Sequence, residues 1–218
     1  SLIYRQNSVA MDFHRIVGAD DFLTADFWSL YEGSFPPEER RSWDEHVRIL
    51  SDPSYHCLAV TMPRDCEAEG KADDKFENSH EFVGLFCFWL FPDICYLEHL
   101  AVHPARRSGG IGGRILQTWL ERRAGPELLT VLEIDPPVTD LARRRKGFYE
   151  RQGFIFNGGE RGLFMHPSFG SVPHYHPLCL MSLGRPMTEA DRKVFDDAAL
   201  RRVLKYDGPP YQGVIETF

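Results

Sequence analysis

The stretch Val102-His-Pro-Ala-Arg-Arg-Ser-Gly-Gly-Ile-Gly-Gly-Arg114 decides the fold of this chain. It follows a nearly continuous apolar run, Ile94–Val102, which is typical of a strand that is buried on both faces of a sheet. After the glycines, apolar residues recur at helical spacing: Ile111, Ile115, Leu116, Trp119 and Leu120. The glycines therefore lie at the turn between a strand and a helix.

This turn has the properties of an anion site. Glycine has no Cβ, so a ligand can approach the backbone closely. The first amides of a helix have no partner within the helix and carry the positive end of its dipole. Three arginines, Arg106, Arg107 and Arg114, add positive charge. The sequence thus predicts a site for a phosphate or pyrophosphate at the start of the helix.

The type of phosphate ligand follows from the spacing. A P-loop ends in Gly-Lys-Ser/Thr, whereas Gly112 is followed here by Gly113 and Arg114. The dinucleotide pattern G-x-G-x-x-G is also absent from the turn. The remaining pattern, Arg107-x-x-Gly110-x-Gly112, stands with "YLEHLAVHP" before it and "GFYERQGF" after it. In these motifs the chain resembles the GNAT acetyltransferase superfamily, over roughly residues 10–184.

The resemblance implies an α+β fold, close to an α/β/α sandwich. Helices would flank one mixed, mostly antiparallel sheet, splayed between the strand that ends at Val102 and the strand at 128–134. We expect a single acetyltransferase domain over residues 1–218, with its core at about 10–184. Residues 185–218 would form a C-terminal helical extension, starting at the helix cap Thr188.

The resemblance also implies acetyl-coenzyme A as co-substrate, bound in the splay, and no metal. The pantetheine would pair like an added strand with the backbone of Leu100, Ala101 and Val102. The pyrophosphate would bind the amides of the turn, from Arg107 and Ser108 through Gly109, Gly110, Ile111 and Gly112 to Gly113.

Three residues are candidates for the chemistry of acetyl transfer. Tyr149 fits the family pattern Y-x-x-x-G-F, in which the tyrosine serves the leaving thiolate. Two carboxylates in apolar strands, Glu98 and Glu133, compete as the base. A charged group in a central strand is costly unless it is paired or functional. We place Glu98 first, but an expected bulge near Leu100 leaves the direction of the side chains open.

The acceptor would lie beneath the first helical connection, whose second helix is expected to start at Pro37 or Glu38 and to run to about Leu50. Similarity makes Phe35, Glu38 and Glu39 its candidate contacts, although acidic residues also suit a solvated helix start. The implied function is transfer of acetyl to a primary amine, of a small molecule or a peptide, by direct attack in a ternary complex. The alternative is a non-catalytic acyl-coenzyme A binding module that acts as a sensor or scaffold.

Composition limits the remaining classes. The 218 residues carry a net charge of −7, which argues against a nucleic-acid binder. There is no apolar run of membrane length, and the five cysteines form no C-x-x-C pair, so we expect a cytoplasmic protein with reduced thiols. A homodimer is compatible with the sequence. The acidic stretch at 63–79 and the linking stretch at 157–177 are expected to be loops, and the histidines at 166–176 to be ordinary loop residues.

Overall fold

The computed structural model describes residues 10–64, 79–167 and 174–218. The strands of these segments are β1 (Asp12–Arg15), β2 (Tyr55–Pro63), β3 (His80–Leu90), β4 (Ile94–Val102), β5 (Leu129–Ile134), β6 (Phe154–Phe156), β7 (Leu163–Pro167) and β8 (Tyr175–Leu183). The helices are α1 (Thr24–Ser34), α2 (Trp43–Ile49), α3 (Ile111–Arg122), α4 (Asp140–Arg151), α5 (Gly159–Gly162) and α6 (Glu189–Asp196). Short 3-10 turns at Pro37–Glu39 and Pro104–Arg106 and a π-helical turn at Asp197–Val203 complete the order.

All the described strands join one sheet in the order β1-β2-β3-β4-β5-β8-β6, and β7 also pairs with β8. Every pairing is antiparallel except that of β4 with β5. The parallel pair holds only from Ile94 opposite Leu129 to Leu97 opposite Leu132. Beyond these residues the two strands separate, so the expected splay is present at the expected place.

A bulge in β4 sets the direction of its side chains. Against β3, Phe88 pairs with Leu97 and Cys87 pairs with His99, so Glu98 is the extra residue. The bulge therefore lies at Glu98, two residues before Leu100 and close to the place where the sequence led us to expect it. Because a bulge shifts the alternation by one residue, Glu98 and His99 both point to the same face of the sheet.

Helices cover both faces of the sheet, as in an α/β/α sandwich. On one face α1 and the last helical segment pack over Tyr96 and Val131, and Phe27 and Phe195 are fully buried there. On the other face α3 packs through Ile115, Leu116 and Trp119 onto Phe86 and Leu97. Residues after 184 thus contribute to the packed core, since Phe195, Ala198 and Ala199 are all 0% exposed.

Two local expectations from the sequence were wrong. One helix was expected from Pro37 or Glu38 to about Leu50, but the chain forms a 3-10 turn and then begins α2 at Trp43. Ser42 causes this break, because its side chain and that of Glu45 form a reciprocal capping box. The linking stretch at 157–177 was expected to be a loop, but it contains α5 and β7, which pairs with β8.

The remaining expectations concern thiols, loops and membranes. Cys57, Cys87, Cys95 and Cys179 are free and buried. The fifth cysteine and most of the acidic stretch at 63–79 lie outside the described residues. Among the helices of the described segments, none is both long and apolar enough to cross a membrane.

Candidate active site

A cavity of about 530 Å³ opens where β4 and β5 separate. Its walls come from the end of α1 and the segment that follows it, from β4 and β5, and from α4, β7 and β8. The two carboxylates that were singled out from the sequence, Glu98 and Glu133, both line it, as does Tyr149. The splay therefore brings together three residues that are far apart in the chain.

The glycine turn leads from β4 into α3 next to this cavity. Gly110 caps α3 with φ 73°, and Ser108 also has a positive φ of 69°. No side chain caps the helix, and the first intrahelical bond runs from the Arg114 amide to the Gly110 carbonyl at 3.1 Å. The amides of Ile111, Gly112 and Gly113 precede that bond, so they meet the geometric requirement for an anion site.

Backbone groups of β4 also face the splay. Leu100, Ala101 and Val102 pair with β3 on one side, while the pairing with β5 ends at Leu97. An extended ligand can pair with such an edge as an added strand does. The Val102 carbonyl already accepts a hydrogen bond from Arg107 Nε at 3.1 Å. Arg107 thus lies between the predicted pantetheine and pyrophosphate sites.

Glu98 is held by a network of donors. The Arg41 guanidinium binds it in a bidentate manner, with Nη2 donating to Oε2 at 2.8 Å, and Trp89 Nε1 donates to Oε2 at 3.0 Å. The Arg41 and Glu98 side chains are only 5% and 7% exposed. Burial alone would raise the pKa of Glu98, but the charges and hydrogen bonds of Arg41 and His99 hold it well below the ordinary value. Such a carboxylate is a weak base.

The surroundings of Glu133 raise its pKa, whereas those of Glu98 lower it. The Glu133 carboxylate accepts a hydrogen bond from the buried Tyr96 hydroxyl on the neighbouring strand. Burial raises the pKa of Glu133 to about 8, the Tyr96 hydrogen bond opposes this, and the charges of Glu98 and Glu39 reinforce it. A pKa near the operating pH is what efficient general base catalysis requires.

Tyr149 lies on α4 and lines the cavity between the phosphate turn and Glu133. Its ring packs edge-on against Phe148 and Phe154, with ring centroids 5.0 and 5.9 Å away. Burial raises the pKa of Tyr149 to about 12, against a lowering by Arg145. The phenol is therefore neutral at physiological pH and is available as a hydrogen-bond donor.

The segment at residues 35–41, which we call the acceptor wall, closes the other side of the cavity. Phe35 and Glu39 line the cavity, whereas Glu38 is exposed and lies outside it. Bonds to β4 fix this wall: His99 Nε2 lies 3.2 Å from the Glu39 carbonyl, and Arg41 binds Glu98. The Phe35 ring also packs edge-on against His99, at 4.5 Å between centroids.

Further polar residues at this end were not assigned to the site from the sequence. Asp135 follows β5 and accepts a hydrogen bond from Arg145 Nη1 at 3.1 Å. His166 and His176 are partners across β7 and β8, with ring centroids 5.1 Å apart. Burial lowers the pKa of both histidines, that of His166 to about 4. Within the described segments no group of three or more potential ligands is arranged to hold a metal ion.

The residues that the sequence missed share a reason. Arg41, Tyr96 and His99 act through partners that are distant in the chain, since Arg41 is 57 positions from Glu98 and Tyr96 is 37 from Glu133. One signal was present in the sequence. Tyr96 and Glu98 stand two apart in β4, which places both on one face of the strand ahead of the bulge.

Comparison with known proteins agrees with this fold. The model of the acetyltransferase (GNAT) domain family matches residues 72–156, which include β4, the glycine turn and α4. A search of curated protein sequences gave no match. Among solved structures, a protein of Bacteroides thetaiotaomicron assigned to the GNAT acetyltransferase family is 28% identical, with a TM-score of 0.66. The match covers 88% of this chain and 97% of that protein.

Two further solved structures are more distant. A protein of Desulfovibrio desulfuricans assigned to the same family is 21% identical, and the match covers 80% of this chain and 98% of the other, with a TM-score of 0.48. A Bacillus subtilis acetyltransferase in complex with coenzyme A is 12% identical, with coverage of 80% and 97% and a TM-score of 0.48.

Proposed function

We propose that this chain is an acetyltransferase of the GNAT family and that it transfers the acetyl group of acetyl-coenzyme A to a primary amine. The family model that matches residues 72–156 and the likeness to the Bacteroides thetaiotaomicron structure support this proposal. The reaction is direct attack in a ternary complex. The observation that carries the proposal is the position of Glu133, a carboxylate with a raised pKa in a cavity beside the phosphate turn.

Acetyl-coenzyme A supplies the thioester that the amine attacks. Its pyrophosphate binds the amides at the start of α3, from Arg107 through Gly113, and its pantetheine pairs with the free edge of Leu100, Ala101 and Val102. The turn fits this ligand, because its helix start carries no competing side-chain cap. Pairing of the pantetheine with the Val102 carbonyl would require Arg107 to give up the hydrogen bond that it donates there at 3.1 Å.

Glu133 acts as the base. The attacking amine must lose a proton, and a carboxylate whose pKa is about 8 accepts it more readily than one of ordinary acidity. Tyr96 holds the Glu133 carboxylate in place through its hydroxyl. Glu98 does not take this role, because three donors from Arg41 and Trp89 already occupy its oxygens. These surroundings favour Glu133 over Glu98, the reverse of the order expected from the sequence.

Tyr149 stabilises the leaving thiolate. As the bond between carbon and sulfur breaks, negative charge develops on the sulfur, and the phenol donates a hydrogen bond to it. Full proton transfer is unfavourable, because the Tyr149 pKa is raised to about 12 while a free thiol has a pKa of about 8.5. The released thiolate therefore takes its proton from solvent after it leaves the site.

A release assay tests the proposal. Purified protein is incubated with acetyl-coenzyme A and a panel of primary amines, the free thiol is quantified, and the acetylated amine is identified by mass spectrometry. We expect stoichiometric thiol and acetyl-amine with at least one amine, and both should form about 10²–10⁴-fold more slowly with Glu133→Gln near neutral pH. Binding of acetyl-coenzyme A by calorimetry without turnover on any amine would support the alternative, a non-catalytic acyl-coenzyme A sensor.

A further inference from the structure

The acceptor wall carries a carboxylate, Glu39, that faces the cavity. Glu39 is partly buried in this wall. Its backbone is fixed, because its carbonyl lies 3.2 Å from His99 Nε2 and because Arg41, two residues on, binds Glu98. In the described part of the chain the Glu39 carboxylate forms no ion pair. Burial has removed part of the water around the Glu39 carboxylate, and no cation among the described residues is paired with it.

The charges around Glu39 do not compensate it. Burial raises the pKa of Glu39, and Asp135 is the next contribution in the same direction, while Arg145 and His99 oppose it and exposed Glu38 adds to it. Arg145 is already bound to Asp135 at 3.1 Å. Arg41 is bound to Glu98, and Arg107 donates to the Val102 carbonyl at the opposite end of the cavity.

The imidazoles at this end add no positive charge. Burial holds the pKa of His166 at about 4 and lowers that of His176, so both rings are neutral at physiological pH. The carboxylates of Glu39 and Asp135 thus border the space that the acceptor enters, and Arg145 is bound to Asp135. A cationic ligand is stabilised in such a space, and an anionic ligand is repelled.

We infer that the acceptor carries a second cationic group, separate from the amine that is acetylated, and that Glu39 binds this group. The inference rests on the proposed function. The reacting amine cannot fill this role, because it is neutral when it attacks and its proton passes to Glu133. The second cation remains charged throughout the reaction. Diamines and peptides with a neighbouring basic side chain belong to this class, whereas free amino acids place a carboxylate against Glu39.

The experiment compares acceptors that share one primary amine and differ only in the group at the other end of the carbon chain. Butylamine, aminobutanol, diaminobutane and aminobutyrate are assayed with acetyl-coenzyme A at fixed pH, with longer homologues of each to allow for the unknown span. The statistical advantage of two amines in the diamine is divided out. A charge-assisted hydrogen bond should make kcat/KM for the best diamine about tenfold or more above that of its neutral analogue. Aminobutyrate should be the poorest acceptor.

A matched pair of variants assigns the effect to Glu39. Glu39→Gln should lower kcat/KM for the diamine about tenfold relative to kcat/KM for butylamine, so that the preference for the diamine is lost, whereas a shift in the pKa of Glu133 affects both amines alike. Glu121→Gln makes the same chemical change on an exposed position of α3 and should change none of these values. If neutral or anionic acceptors match the diamines, or if Glu39→Gln keeps the full preference, the inference is overturned while the proposed function stands. Absence of turnover with every amine refutes the proposed function instead.

Discussion

Replacing each carboxylate of the splay by its amide should separate stability from catalysis. Glu98→Gln removes the negative partner of Arg41, whose side chain is 5% exposed. Removal of one partner from a buried ion pair costs about 3–5 kcal/mol, because the other charge stays buried and unpaired. For a domain of this size, 1 kcal/mol lowers Tm by about 2–4 °C, so Tm should fall by roughly 6–20 °C.

Glu133→Gln should have the opposite effect on stability. The folded chain keeps the Glu133 proton up to a pKa of about 8, whereas the unfolded chain releases it near its ordinary value of about 4.3. Between these values the folded state binds more protons, so the wild type loses stability as the pH rises. The amide cannot ionise. The Tm of Glu133→Gln should therefore increase relative to wild type from about pH 5 to about pH 8.

The effects on activity should be the reverse of the effects on stability, because Glu133→Gln should be the variant that loses turnover. Below their melting temperatures, Glu133→Gln should lose about 10²–10⁴-fold in kcat near neutral pH, the usual contribution of a positioned base. It should also lose the rise of kcat with pH that reflects the Glu133 pKa of about 8. Glu98→Gln should keep this rise but shift it to lower pH, because the charge of Glu98 contributes to the raised pKa of Glu133.

Differential scanning fluorimetry across pH, with kcat profiles for one amine, measures both quantities. Suppose Glu98→Gln melts like the wild type and is inactive, while Glu133→Gln keeps full turnover and the same pH profile. The assignment of Glu98 as the structural partner of Arg41 and of Glu133 as the base would then be refuted. Ser42→Ala serves as a control for a general loss of stability in the same region, because it removes only the cap of α2.

Three further outcomes are expected. Tyr149→Phe should lower kcat about 10- to 100-fold, the value of a hydrogen bond to a charged group, and leave the Kd of acetyl-coenzyme A unchanged in calorimetry. Gly112→Val should weaken coenzyme A binding about tenfold or more, because the two methyl groups of Val crowd the amides that would hold the pyrophosphate. A Cβ alone makes only ordinary contact there, with Val102 at 3.4 Å and Phe148 at 3.7 Å. An unchanged Kd in the folded variant would contradict the phosphate site. Ser42→Ala should cost about 0.5–2 kcal/mol in chemical denaturation, with no change in the pH profile of kcat.

The sequence predicted the parts of the fold that depend on local patterns. The apolar run Ile94–Val102 matches β4 at both ends, and Phe154–Phe156 matches β6. The glycine turn was recognisable because its requirements, a free helix start and close backbone approach, are met by neighbouring residues. The start of α4 is a local signal of the same kind, because the Thr139 side chain caps it by accepting from the Ala142 amide.

The roles of the two carboxylates could not be predicted in the same way. Glu98 and Glu133 look alike in sequence, since each interrupts an apolar strand. Their difference comes from partners brought by the fold: Arg41 reaches Glu98 from the acceptor wall, and Tyr96 reaches Glu133 across the parallel pair. A buried carboxylate becomes more acidic beside a guanidinium and more basic without one.

The bulge at Glu98 determines the direction of the β4 side chains, which the sequence left open. Strict alternation after Glu98 would turn His99 and Ala101 to the face of α3. The extra residue reverses this, so Ala101 packs in the cluster of Tyr96, while Leu100 and Val102 pack with Leu97 on the other side. His99 thereby reaches the Glu39 carbonyl while Glu98 binds Arg41. One inserted residue thus fixes the acceptor wall at two points. Glu133, on the next strand, has no guanidinium partner in the part of the chain that the structure describes.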